Sequence, residues 1–331
     1  MPITQSFLNK VAPISFTDSD AIDNYFLQNY HLDFITWFNT YCAAQKNWGN
    51  TPNHAALSIA HDGLAHDRFD KIWSNDGIKN MFGINSISLL QFISLMSIII
   101  NETGGSMLPL TERVGMNGHP GIAYAFDKIA GLKRSYNTLA GNKTCFQLFN
   151  DVNYNHAFGN MPLANQLKNT TNGIWAGEVY PQTVSFSTNP MLSGYVLQAD
   201  FYKFRGRGFI QTTGRANYAQ LIKFVQNYTG NNSYLLSEKL NWAKWSANAD
   251  VLATVSSNEE WDNLFQKTDS IIAAKGIGIH NVSSNNYLSG INASNPTTAF
   301  NTIRNVGLRI SGGAAYADLY ISRVVQIIEA M

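Results

Sequence analysis

Residues Ser86–Glu112, SISLLQFISLMSIIINETGGSMLPLTE, carry the strongest helical signal in the chain. Ile87, Leu90, Ile93, Leu95, Ile98 and Ile99 put apolar groups on nearly every side of a 3.6-residue period, the mark of a helix buried all round. Asn85, Ser86 and Ser88 offer capping oxygens at its start, and Gly104-Gly105 stops it where a positive φ costs little. Gln91, Ser94 and Ser97 interrupt the apolar run, which is too short and too polar to cross a bilayer. The expected product is a core helix with a carboxylate, Glu102, in its last turn, beside a glycine pair that leaves room for another group.

That position has chemical consequences. The C-terminal end of a helix disfavours negative charge by roughly 0.3–1 kcal/mol. Burial against Ile98, Ile99 and Met107 is expected to be the larger effect, and it favours the neutral carboxyl. A carboxyl that keeps its proton near neutral pH is what a general acid requires. Ten residues on, Glu112 lies in the polar segment LTERVG, where a carboxylate stays ionised. Two carboxyls in opposed environments suggest an acid and a base. Spacing alone is served at least as well by a capping Glu and a solvated loop Glu.

A second dense motif bears on that choice. Tyr202–Tyr218, YKFRGRGFIQTTGRANY, sets Gly206, Gly208 and Gly214 among aromatic, amide and guanidinium groups. Three glycines at about 1 kcal/mol each exclude an ordinary helix. The segment reads as a tight loop where backbone approaches a ligand or another strand closely. A third block, Ile310-Ser311-Gly312-Gly313, precedes a terminal helix.

Taken with ETGG at Glu102–Gly105, these blocks resemble glycoside hydrolase family 19, the chitinases and the related phage and bacterial cell-wall lysins. The family carries Glu-Thr/Ser-Gly-Gly, then Tyr-x-x-Arg-Gly-x-Gly-x-Ile-Gln-x-Thr/Ser-Gly-Arg-x-Asn-Tyr, then Ile-Asn-Gly-Gly. The three blocks occur here in that order over roughly residues 80–331, and the long one is the specific one. Two departures stand out: Asn101 occupies the place of a common His before the acid, and Ser311 replaces the usual Asn.

The resemblance implies a mainly α, lysozyme-like bilobal fold with a substrate cleft and few short strands. It implies inverting hydrolysis: Glu102 protonates the glycosidic oxygen and Glu112 deprotonates a water on the opposite face of the sugar. Such carboxyls stand about 6.5–9.5 Å apart. Thr213 would help hold the water. Gln211 and Asn217 match positions that bind the N-acetylated sugar, because an amide both donates and accepts. Arg207 and Arg215 would brace the loop, in part by pairing with Glu112; Tyr202 would stack on a sugar face. Ser311 would make a shortened substrate contact. Plant chitinases place the base some twenty residues after the acid, near Tyr124 and Asp127, whereas the lysin-type spacing selects Glu112. Asp127 and Glu178 are the fallbacks for the base.

Composition bounds the rest. Net charge is +1 and only 14% of residues are charged, against a usual quarter, so no bulk charge calls for nucleic acid or an anionic membrane. Hydrophobic content of 45% supplies a large core. Cys42 and Cys145 are expected to be free buried thiols. Residues 1–80 precede the resemblance and are expected to form a helical extension, a cap or docking segment, on a catalytic domain over 81–331. In that extension Tyr25–Gln45 reads as one amphipathic helix with Phe26, Tyr30, Phe34, Trp37, Phe38 and Tyr41 as an aromatic stripe, core in character. His61 and His66 are five apart, not the i, i+4 of zinc helices, and no metal or cofactor is called for. Further helices are expected at 219–228, 235–254 and 258–274, and at the C-terminus with Leu319, Val324, Ile327 and Ile328 inward.

Three functions fit. One is a peptidoglycan-cleaving lysin, made in the cytoplasm without a recognisable signal peptide. It would reach the cell wall through a phage or an injection or secretion system. The second is a chitinase. The third is a non-catalytic component of a phage tail or injection particle, docking through residues 1–80.

Overall fold

A computed structural model describes residues 3–45, 48, 57–60, 62–112, 204–243, 256, 258–311 and 313–331. The protein is mainly α: twelve helices and four two-residue strands among the described residues. In chain order these are α1 (Gln5–Val11), β1 (Ser15–Phe16), α2 (Ser19–Tyr30), α3 (Phe34–Tyr41), α4 (Ala65–Ile72) and α5 (Asn75–Phe82). Then come β2 (Ile87–Ser88), α6 (Leu89–Glu102), β3 (Leu110–Thr111), β4 (Arg207–Gly208), α7 (Arg215–Gln226) and α8 (Ser233–Ala243). The chain finishes with α9 (Asn258–Gln266), α10 (Ile271–Ser283), α11 (Pro296–Ser311) and α12 (Ala314–Ala330). No helix among the described residues is long and apolar enough to cross a membrane.

The chain divides into two compact units. The first comprises residues 1–110, 207–212 and 265–331; the second comprises 111–206 and 213–264. The first unit is built round α6. Ser88 caps it: its hydroxyl accepts from the Gln91 N–H at 3.2 Å while the Gln91 side chain accepts from the Ser88 N–H at 2.8 Å. This reciprocal box satisfies two donors that a helix start leaves orphaned. Every residue from Leu89 to Ile100 is buried, as a run with apolar groups on all sides requires.

Phe92 shows what covers it. Its ring meets Phe34 and Trp73, each at 4.8 Å between centroids, Phe16 at 5.8 Å and Phe69 at 6.2 Å, all edge-on. Edge-to-face pairs add about 0.5–1.5 kcal/mol each beyond burial. Those partners come from β1, α3, α4 and the end of α4, and β1 pairs antiparallel with β2 through Phe16 and Ile87. The first unit runs across residue 80, and Phe34 of the expected aromatic stripe lies in the wall of the α6 core, whereas Tyr41, expected in the same stripe, is exposed.

Two helices expected whole are broken. Tyr25–Gln45 spans the second half of α2 and all of α3, separated at His31, which takes a left-handed φ of 62°. Asp33 then starts α3 by accepting from the Thr36 N–H at 2.9 Å. Residues 258–274 span α9 and only the start of α10, separated by Asp269 and Ser270 at φ 50° and 67°. On the C-terminal helix Val324, Ile327 and Ile328 are buried, but Leu319 is half-exposed; Tyr320 and Arg323 hold the inward face instead. Tyr320 donates to the Ser94 carbonyl at 2.9 Å, fastening α12 to α6.

The described part of the second unit centres on four aromatics. Tyr218 lies 4.6 Å from Trp261 and 4.9 Å from Phe204 between centroids, and Trp242 lies 5.5 Å from Trp261. The α7–α8 turn is tied by Lys239, whose ammonium donates to the Tyr228 carbonyl at 2.8 Å.

Candidate active site

In the first unit, Glu102 is the last residue of α6. The helix stops because Gly104 and Gly105 take φ values of +59° and +80°, and the Gly105 N–H returns to the Ile100 carbonyl at 2.8 Å. Thr103 closes the end with its hydroxyl on the Ile99 carbonyl at 2.6 Å. Gly105 passes against residues 57–60: its carbonyl accepts from the Ala60 N–H at 3.0 Å. Asn39 pins that segment, donating to the Ile59 carbonyl at 3.0 Å and accepting from the Ile59 N–H at 2.8 Å.

Ile98, Ile99 and Met107 are fully buried, while Glu102 itself is half-exposed. Its Oε1 accepts from the Asn101 amide at 2.9 Å and from the Tyr316 hydroxyl. The Asn101 amide also donates to the Tyr316 oxygen at 2.8 Å, closing a triangle. Arg323, two turns further along α12, donates to Asn101 Oδ1 and lies with its guanidinium 5.0 Å from the centre of the Trp48 ring. Burial, then the charge of Glu102, pushes the Tyr316 phenol far above its usual range, so it remains a donor. Burial pulls Arg323 below the usual guanidinium value, against the opposing influence of Tyr316 and Glu102; it stays a cation.

The first unit also holds the turn 207–212. Arg207 and Thr212 exchange backbone hydrogen bonds at 3.1 and 2.8 Å, and Gln211 turns the chain at a φ of 57°. Arg207 is fully buried. Ser311, at the end of α11, donates to the Gly307 carbonyl at 3.0 Å and accepts from the Gly313 N–H at 3.2 Å. Its hydroxyl shapes the turn that delivers Tyr316.

In the second unit, Glu112 is held by the loop that starts the long motif. The Gly206 N–H donates to its carboxylate at 3.1 Å, the Glu112 N–H donates to the Gly206 carbonyl at 2.8 Å, and Arg205 Nε donates to the Glu112 carbonyl at 3.1 Å. Arg205 also faces Asp262 at 3.6 Å, and Asp262 accepts from the Thr111 hydroxyl at 3.0 Å. Arg205, which was not singled out from the motif, thus reaches the Glu112 backbone with its guanidinium. Thr213 and Asn217 stand together: the Asn217 amide donates to the Thr213 carbonyl at 2.9 Å. Tyr218 donates to the Arg205 carbonyl at 2.7 Å and so fixes the loop from below. Of Arg215 only the backbone, opening α7, is described; Tyr202, Tyr124, Asp127 and Glu178 lie outside the described residues.

Sequence reasoning missed Arg205, Asp262, Tyr316 and Arg323. Arg323 carried a signal, as the one charge in the inward stripe ISRVVQII of the terminal helix; Tyr316 and Asp262 carried none. Scans against family models, characterised proteins and solved structures match nothing.

Proposed function

We propose that the chain is a glycoside hydrolase that cuts β-1,4 bonds of peptidoglycan with inversion, in a lysozyme-like bilobal fold with a substrate cleft. The observation behind this reading is the setting of Glu102, a helix-end carboxyl beside two left-handed glycines, half-exposed and gripped through one oxygen. Glu102 gives its proton to the glycosidic oxygen as the bond from that oxygen to C1 breaks. A water attacks C1 from the opposite face and yields its proton to Glu112. The Gly206 N–H holds the Glu112 carboxylate in place, and Arg205 holds its backbone carbonyl. The Thr213 hydroxyl holds the water, and Asn217 keeps one N–H and its carbonyl for an acetamido group. Delivery is by a phage or an injection or secretion system, with residues 1–80 as the docking segment.

The full chain, incubated with purified peptidoglycan and with chitin oligomers, separates the alternatives. New reducing ends from peptidoglycan, with few from chitin, are the expected outcome. The reverse preference makes the protein a chitinase. Turnover of neither polymer, with a stable complex formed with tail or injection-particle proteins, makes it a structural component.

A further inference from the structure

We infer that Asn101 and Tyr316, anchored by Arg323, are positioning residues that reserve Oε2 of Glu102 as its proton-donating oxygen. The inference rests on the reading of Glu102 as the general acid.

The donors can be assigned without seeing a hydrogen. A guanidinium has donors only, so the atom of Asn101 facing Arg323 must be the carbonyl Oδ1. That turns the Asn101 NH₂ toward Glu102 and the Tyr316 oxygen, and its two hydrogens match those two acceptors. Tyr316 then has its own hydrogen for Oε1. Two donors converge on Oε1, and a proton placed there would collide with one of them. Oε2 has no hydrogen-bond partner among the described residues. A neutral Glu102 therefore carries its proton on Oε2, the oxygen left open.

The arrangement also suits the moment after transfer. When the proton leaves Oε2, the negative charge finds two fixed donors already aimed at Oε1, with the Arg323 cation behind Asn101. Donors set in advance need no reorganisation as charge develops. Arg323 is nearly inaccessible to water, and the face of Trp48 answers part of its charge.

The test is Tyr316→Phe in the full chain, assayed on peptidoglycan and on a 2,4-dinitrophenyl glycoside, whose leaving group departs without a proton. On the polymer kcat is expected to fall about 10- to 100-fold with KM little changed, the size of one hydrogen bond to a charged group. On the dinitrophenyl glycoside kcat should stay within about threefold, because no acid is needed there. Asn101→Ala, which removes the other donor to Oε1, should give the same split, and it serves if the Tyr316 variant fails to fold. Equal losses on both substrates, or no loss on the polymer, overturn the inference. Glu102→Gln run alongside separates the two levels. If it retains full polymer turnover, the acid reading itself fails; if it is inactive while the Tyr316 and Asn101 variants behave as wild type, only the positioning role fails.

Discussion

Glu102→Gln should abolish dye release from labelled peptidoglycan while leaving thermal stability nearly unchanged. General acids contribute about 10²–10⁴-fold, so residual activity of one per cent or less is expected. Gln is isosteric and keeps the oxygen that accepts from Tyr316 and Asn101, so the triangle at the end of α6 survives. Half-exposure of the side chain makes the change inexpensive for the fold. What Gln cannot do is release a proton to a leaving oxygen. Activity equal to wild type in a folded variant would remove Glu102 from the role.

Gly105→Ala should be among the most destabilising single-atom additions in the chain. A Cβ there would stand 1.9 Å from the Ser58 carbonyl oxygen, and the residue already sits at a φ of +80°. The obstacle is backbone, and it cannot yield easily because Asn39 grips the adjacent Ile59 through both its N–H and its carbonyl. Left-handed strain alone costs about 1–2 kcal/mol, and the clash adds to it, giving a loss of about 2–4 kcal/mol. Gly104→Ala is the internal control: its φ is +59°, but nothing lies within 4 Å of its added Cβ. Thermal melts of the two variants should differ by several degrees, Gly105→Ala the lower. Coincident melts would mean that residues 57–60 do not press on this glycine.

The central helix was legible because its signals are local. Ser88 and Gln91 stand three apart as a capping box needs, the apolar positions leave no polar face, and two adjacent glycines end the run. The break at His31 was not legible: the left-handed turn is made by an imidazole-bearing residue with no glycine or proline nearby to announce it. Asp269 and Ser270 hide the α9–α10 break in the same way. The limits of the compact units depend on which aromatic faces meet which, and Phe16, Phe34, Phe69 and Trp73 reveal their common partner Phe92 only in three dimensions.

The candidate site divides along the same line. Glu102, its glycines and the long motif are contiguous in sequence, so their residue types could be read directly. Tyr316 and Arg323 reach Asn101 across 215 and 222 residues, and no spacing rule connects positions that far apart. Arg205 was visible inside the motif, but its reach to the Glu112 carbonyl depends on the path of the loop, which the Tyr218 hydroxyl fixes through the Arg205 carbonyl.

The most direct measurement is the anomeric configuration of the first sugar released, followed by proton NMR before mutarotation scrambles it. A carboxylic acid and a carboxylate acting on opposite faces of a β-linked sugar invert C1, so the α-anomer should appear first. A β-anomer appearing first, or no new reducing end from either polymer, is incompatible with Glu102 and Glu112 working as that pair.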